Sequence, residues 1–170
     1  MKSKVRLLIA FFFILLLFVC VYSYDKTVYS FDKTAEGKWG KASNCLQVRL
    51  SCPRSRYNIG ETIKIYIVFR NIGGTSQTIR MPSLYATVNM SCNNKAFSDA
   101  IGAYPSGIEK LTLSPGQTSP SYFLEACGTD HEGAGVYKFS GGIGNDEVGL
   151  LEFEPLKVKV GPYISFFGWH

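Results

Sequence analysis

Leu46-Gln47-Val48-Arg49-Leu50 and Ile63-Lys64-Ile65-Tyr66-Ile67-Val68-Phe69-Arg70 are the two stretches that decide the fold. In each, an apolar residue recurs at every second position, the period of a strand with one face buried and the other toward water. The second stretch is less polar on its outer side, where Tyr66 and Val68 fall. A Pro/Asn/Gly loop at residues 52–60 separates the two, and Asn71-Ile72-Gly73-Gly74-Thr75 turns the chain after the second. Working outward, strands are expected at residues 77–81, 84–90, 108–113, 121–126, 135–141 and 150–160. Pro82-Ser83, Ser114-Pro115-Gly116-Gln117, residues 127–134 and residues 142–149 break them. Residues 91–107, rich in Asn, Ser, Ala and Gly, predict one short strand near 95–98 at most. No segment after Tyr22 carries a helical period. Short strands at this spacing predict an all-β sandwich with Greek-key connections over residues 45–160, of seven to nine antiparallel strands, with a closed barrel as the rival.

Upstream, Lys2, Lys4 and Arg6 precede an apolar run from Leu7 to Tyr22. This is the layout of a secretory signal, and residues 1–23 are read as a signal peptide cut after Ser23 or, since the run approaches a bilayer span, as a retained signal anchor through residues 7–22. Residues 24–44 are polar and Lys-rich, with Gly37 and Gly40, and are read as a tether. The formal charge is +5; without Lys2, Lys4 and Arg6, fifteen basic residues face thirteen acidic ones, a net of +2. So small and scattered a surplus gives no footprint for nucleic acid.

Beyond Cys20 the chain has Cys45, Cys52, Cys92 and Cys127, an even number in a chain addressed to an oxidising compartment, so two disulfides are expected. If residues 46–51 are extended, Cys45 and Cys52 stand about 23 Å apart, far beyond the roughly 7 Å that a disulfide spans between Cα atoms. The usual order of strands in such a sandwich then pairs Cys52 with Cys127, and Cys45 with Cys92 by elimination.

The runs Tyr57-Asn58-Ile59-Gly60-Glu61-Thr62-Ile63, Leu113-Ser114-Pro115-Gly116-Gln117 and Gly133-Ala134-Gly135-Val136-Tyr137-Lys138-Phe139 resemble the recurring pattern of bacterial immunoglobulin-like domains. Within that group the chain is similar to the intracellular proteinase inhibitor family known as BsuPI, over residues 46–141. The resemblance implies an immunoglobulin-like sandwich and proteinase inhibition. The export segment and the cysteines depart from an intracellular inhibitor.

Tyr137, two residues after Gly135 and on the same face as Phe139, has the placement of a tyrosine corner, whose hydroxyl bonds back to the backbone. The expected core includes Ile65, Ile67, Val136, Tyr137 and Phe139. His131 beside Cys127 suggests a metal site or a Cys/His pair, but zinc needs three or four ligands and a nucleophilic cysteine must stay reduced. Gly142-Ile143-Gly144-Asn145-Asp146-Glu147 precedes no helix and reads as a polar hairpin loop rather than a phosphate or calcium loop. Asn89-Met90-Ser91 is a glycosylation acceptor if the source glycosylates. The tail, residues 161–170, holds Tyr163, Phe166, Phe167 and Trp169, suited to burial on the sandwich, to a partner or to a membrane interface.

Two histidines and no singled-out acidic pair leave no set for hydrolytic chemistry, so no catalytic residue, metal or cofactor is expected. The expected function is a non-enzymatic binding or structural module meeting a protein partner through the loops at Asn71, Ile72, Gly73, Gly74 and Thr75 and at residues 142–147, with proteinase inhibition as the alternative. N-terminal sequencing of the native protein is expected to start at Tyr24. An intact Met1 in a soluble cytoplasmic fraction would overturn the extracytoplasmic address.

Overall fold

The computed structural model describes residues 34–103, 108–130 and 132–161, with residues 99–103 described by backbone alone. The chain divides into Met1–Lys33, outside the described residues, and Thr34–His170, which holds the fold. The signal segment, His131 and the aromatic tail beyond Gly161 therefore lie outside the described residues.

In chain order the strands are β1 (Ala35–Glu36), β2 (Leu46–Cys52), β3 (Arg56–Tyr57), β4 (Thr62–Asn71), β5 (Gln77–Arg80), β6 (Tyr85–Cys92), β7 (Lys95–Ala103), β8 (Lys110–Leu113), β9 (Tyr122–Gly128), β10 (Gly135–Asn145) and β11 (Gly149–Val160). A 3-10 turn, Met81–Ser83, lies where Pro82 stops β5. The first sheet has the order β1-β2-β4-β9, the second β3-β11-β10-β6-β7, and β5 and β8 form a separate ribbon. The fold is an all-β immunoglobulin-like sandwich. Its ladders are antiparallel except where β3 joins the end of β11 in parallel.

The alternating pattern explains the core. Ile63, Ile65, Ile67 and Phe69 of β4 are fully buried, facing Tyr137, Phe139 and Ile143 of β10 and Leu151, Leu156 and Val158 of β11. The core closes with Ile79, Met81, Leu84 and Leu113 from the ribbon and its neighbours. Val136, expected inside, is 40% exposed. A period of two cannot admit both Val136 and Tyr137 to one face, and the larger ring takes the inner position.

Three expectations are corrected. Residues 34–44 are not a tether: β1 pairs with β2, Gly37 N–H donates to the Leu50 carbonyl at 2.8 Å, and Gly40 N–H to the Val48 carbonyl at 2.8 Å. The segment runs between β2 and β11 so closely that a side chain on Gly40 would collide with the Glu152 carbonyl oxygen. Its glycines permit close approach of backbones rather than flexibility. Asn44 (φ 46°) and Cys45 (φ 62°) then make a tight hairpin turn into β2, closed by reciprocal backbone bonds between Ser43 and Leu46.

Secondly, β7 reaches Ala103 rather than ending near residue 98, paired on one side to β6. An edge strand needs no clean alternation, which is why its composition conceals it. Its hairpin turns at Asn93 (φ 49°) and Asn94 (φ 67°), the left-handed conformation that asparagine tolerates best among non-glycine residues. Thirdly, Gly142, Ile143, Gly144 and Asn145 belong to β10, so the expected loop shrinks to the residues around Asp146 and Glu147. Gly141, at φ 137°, stands at a bulge where a side chain would strike the Thr87 carbonyl oxygen. Apart from the two-residue strands β1 and β3, the described residues form nine strands, within the expected seven to nine.

Ile65→Ala is expected to cost roughly 2–5 kcal/mol, the range for emptying a fully buried aliphatic site. Urea denaturation measures it, and a loss under about 0.5 kcal/mol would mean that β4 does not face inward at Ile65.

Candidate functional site

Three regions carry the chemically distinctive residues: the two ends of the sandwich and the outer face of the first sheet. At one end the Asn44–Cys45 turn sits between the two loops expected to bind. Ile72 N–H donates to the Cys45 carbonyl at 2.8 Å, Asn44 Nδ2 to the Glu147 carbonyl at 3.4 Å, and Ser43 Oγ to the Val148 carbonyl at 3.2 Å. Both loops thus share this end. Much of the first is committed internally, however. Asn71 is fully buried, and its Nδ2 donates to the carbonyls of Thr75 and Leu113 while its Oδ1 accepts from Gly73 N–H. Gly73 presses on Cys45, leaving Ile72, Gly74 and Thr75 outward. In the second loop Asn145 Oδ1 accepts from the backbone of Glu147 and Val148, and only Asp146 and Glu147 are exposed.

The opposite end is closed by hydroxyl groups. The Tyr137 hydroxyl donates to the Gly133 carbonyl at 3.0 Å, four residues upstream, which is the geometry of a tyrosine corner. Buried Thr129 accepts from Gly60 N–H at 2.9 Å and lies 3.2 Å and 2.9 Å from the carbonyls of Asn58 and Glu61, tying the β9–β10 connection to the loop before β4. Tyr137 also packs edge-on to Phe97, with ring centroids 5.7 Å apart. Here β2, β6 and β9 all end, each with a buried cysteine at or next to its last residue: Cys52, Cys92 and Cys127.

No sulfur–sulfur bond joins the described cysteines, and the two expected pairs do not suit the geometry. Cys52 and Cys127 lie in the same sheet with β4 between them, since Ser51 pairs with Tyr66 and Cys127 with Ile63. Two strand spacings, about 9.5 Å, exceed the reach of a disulfide. Cys45, exposed beside Gly73, is at the opposite end from Cys92. Burial pushes the Cys52 thiol up to about 12, with Cys127 adding to the effect. Cys127 is raised to about 11 by burial, then by Glu125 and Cys92. Cys92 is raised by burial and by Glu132, partly offset by its hydrogen bond with Tyr137. Among the described residues no group of three or more His, Cys, Asp and Glu could hold a metal ion.

The outer face of the first sheet was not singled out by the sequence. Trp39, from the segment before β2, is covered by two guanidinium groups, with Arg49 Cζ 4.7 Å and Arg70 Cζ 4.3 Å from its ring centroid. Such stacking contributes about 0.5–1 kcal/mol per pair where partly exposed. Each guanidinium is also anchored: Arg49 Nη1 to Glu36 Oε2 at 2.7 Å, and Arg70 Nη2 to Gln47 Oε1 at 2.6 Å. Beside this stack, Tyr66 and Phe123 meet edge to face with centroids 6.0 Å apart, and Phe123 is 42% exposed. The register explains the grouping, because Gln47 is opposite Arg70, Arg49 opposite Val68, and Tyr66 opposite Phe123. The available signal was the apolar outer position of Tyr66 and Val68; the participation of Trp39 required knowing that its segment returns to the sheet.

No family model matches this chain. No curated protein matches it either. Among solved structures, a CARDB domain from Pyrococcus furiosus in complex with di-metal ions is 13% identical, with a TM-score of 0.39, over 79% of this chain and 97% of that one. A solution structure of the CARDB domain is 14% identical over 71% of this chain and 98% of that one, with a TM-score of 0.37. A beta-glucosidase from Listeria innocua in complex with gluconolactone is 16% identical, with a TM-score of 0.36, over 70% of this chain but 16% of its own length.

The raised thiols make the reduced protein sensitive to alkali. A thiol ordinarily titrating at 9.0 and held near 11–12 in the fold gives stability that is whole below pH 9 and lost as pH rises through the folded values. The melting temperature of the reduced protein is expected to fall between pH 9 and 11, and Cys52→Ala to flatten that fall. A flat profile in the parent protein would show that these thiols are not buried.

Proposed function

We propose that the chain is an exported or membrane-anchored, non-enzymatic binding module acting through protein–protein contacts, with the outer face of the first sheet as its contact surface. The observation that carries this reading is the gathering of Trp39, Tyr66, Phe123, Arg49 and Arg70 on one rigid strand surface. Tyr, Trp and Arg are the residues that most often dominate binding energy at protein interfaces, and Phe is enriched there. Both guanidinium groups are already ordered, so docking immobilises little that is free, which lowers the entropic cost of association. A fitting partner places an apolar side chain against Tyr66 and Phe123 and carboxylates along the guanidinium edges. The extracytoplasmic address rests on the basic and then apolar N-terminus. Proteinase inhibition, which the BsuPI resemblance implies, is the alternative form of the same protein-binding role; no inhibition at micromolar concentration against a panel of extracellular proteases would remove it.

Affinity capture of the full chain from its native source, after mild cross-linking, is the test. Phe123→Asp is expected to reduce partner recovery at least tenfold while leaving the melting temperature nearly unchanged. Full recovery with Phe123→Asp, together with loss on Ile72→Asp, would move the contact surface to the loop end. Failure of the parent chain to capture any protein would sink the binding reading itself.

A further inference from the structure

We propose that Cys92 and Cys127 are joined by a disulfide across the two sheets, with Cys52 left as a buried thiol beside them. The strand order brings this pair together. β2 lies against β11 across the sandwich, so in the orders β2-β4-β9 and β11-β10-β6, β4 comes opposite β10 and β9 opposite β6. Cys92 ends β6 and Cys127 is next to the last residue of β9, at the end closed by the Tyr137 corner. Both side chains point into the interlayer: Cys127 is paired with inward Ile63, and Cys92 with inward Tyr137. Both also act on the Tyr137 hydroxyl, which brings the two thiols near one and the same group. Cys52 is separated from Cys127 by β4 within the sheet, and from β6 by two strand positions in the facing layer.

The oxidant is a low-molecular-weight disulfide. One protein thiolate attacks it, forming a mixed disulfide and releasing one small thiol; the second protein thiolate displaces the other small thiol as the protein sulfur–sulfur bond forms. Two protein thiols are oxidised and one small disulfide is reduced to two thiols, which take up the two protons. In the folded protein these thiols are buried and held protonated, so exchange is slow once the end has closed. The bond therefore forms during folding, before Tyr137 docks, and afterwards resists reduction.

The pairing relies on the extracytoplasmic reading only for where in the cell an oxidant is met, and its test is independent of that reading. The full chain, reduced and unfolded, is refolded with reduced and oxidised glutathione, blocked with an alkylating reagent, and mapped without reduction. A linked pair of peptides carrying Cys92 and Cys127, with Cys52 alkylated once the protein is denatured, is the expected result. Cys52→Ala is expected to retain the link and Cys127→Ala to lose it; if the latter does not fold, mapping of the parent chain still decides. Cys52 joined to Cys127, or all four cysteines beyond Cys20 alkylated after oxidative refolding, overturns the proposal. If the link forms in the tube but protein from its native source carries free thiols, the extracytoplasmic address fails and the pairing stands.

Discussion

One strand carries the sandwich. β4 is hydrogen-bonded on both sides, to β2 and to β9, and its inward row of Ile63, Ile65, Ile67 and Phe69 has no exposed surface. Each such side chain contributes about 1.5–3 kcal/mol on burial, and their spacing fixes which face every neighbouring residue must present. A slip of one position would place Lys64, Tyr66 and Arg70 in the core. The same constraint builds the outer surface, because aligning the inner row aligns Tyr66 with Phe123 and Arg70 with Gln47.

The polar groups at the two ends serve closure before they serve recognition. A loop that crosses from sheet to sheet buries backbone groups that must be paired, at a cost of about 1–3 kcal/mol for each that is not. Asn71 meets that demand at one end and Thr129 with Tyr137 at the other. Residues so fully engaged are poorly placed to meet a partner. The surface with side chains to spare is the flat face between the ends, where aromatic rings and guanidinium groups are held in place yet remain open to water on one side.

Glycine has two opposite meanings along this chain. Gly116 and Gly149 adopt positive φ in turns, the role that sequence reading assigns to glycine by default. Gly37 and Gly40 instead lie where backbones press together, and Gly40 has the Glu152 carbonyl in the place of a side chain. From the sequence alone both kinds look like punctuation. That ambiguity concealed the first turn of the sandwich and, with it, the position of Trp39.

What the sequence by itself determined was the strand class, the inward rows of β2 and β4, the turns after Asn71 and before Gly135, and the place of Tyr137, because a period of two and turn chemistry are local properties. It also determined that Cys45 and Cys52, at the two ends of one extended strand, are too far apart to pair with each other. Tertiary structure alone decided which strands face each other, and so which thiols meet, and which outward residues gather on one surface. The length of β7, the return of residues 35–43 to the sheet edge and the Trp39 stack belong to the same category. Edge pairing and contact across layers depend on the order of strands in space, and alternation along a single strand carries no record of that order.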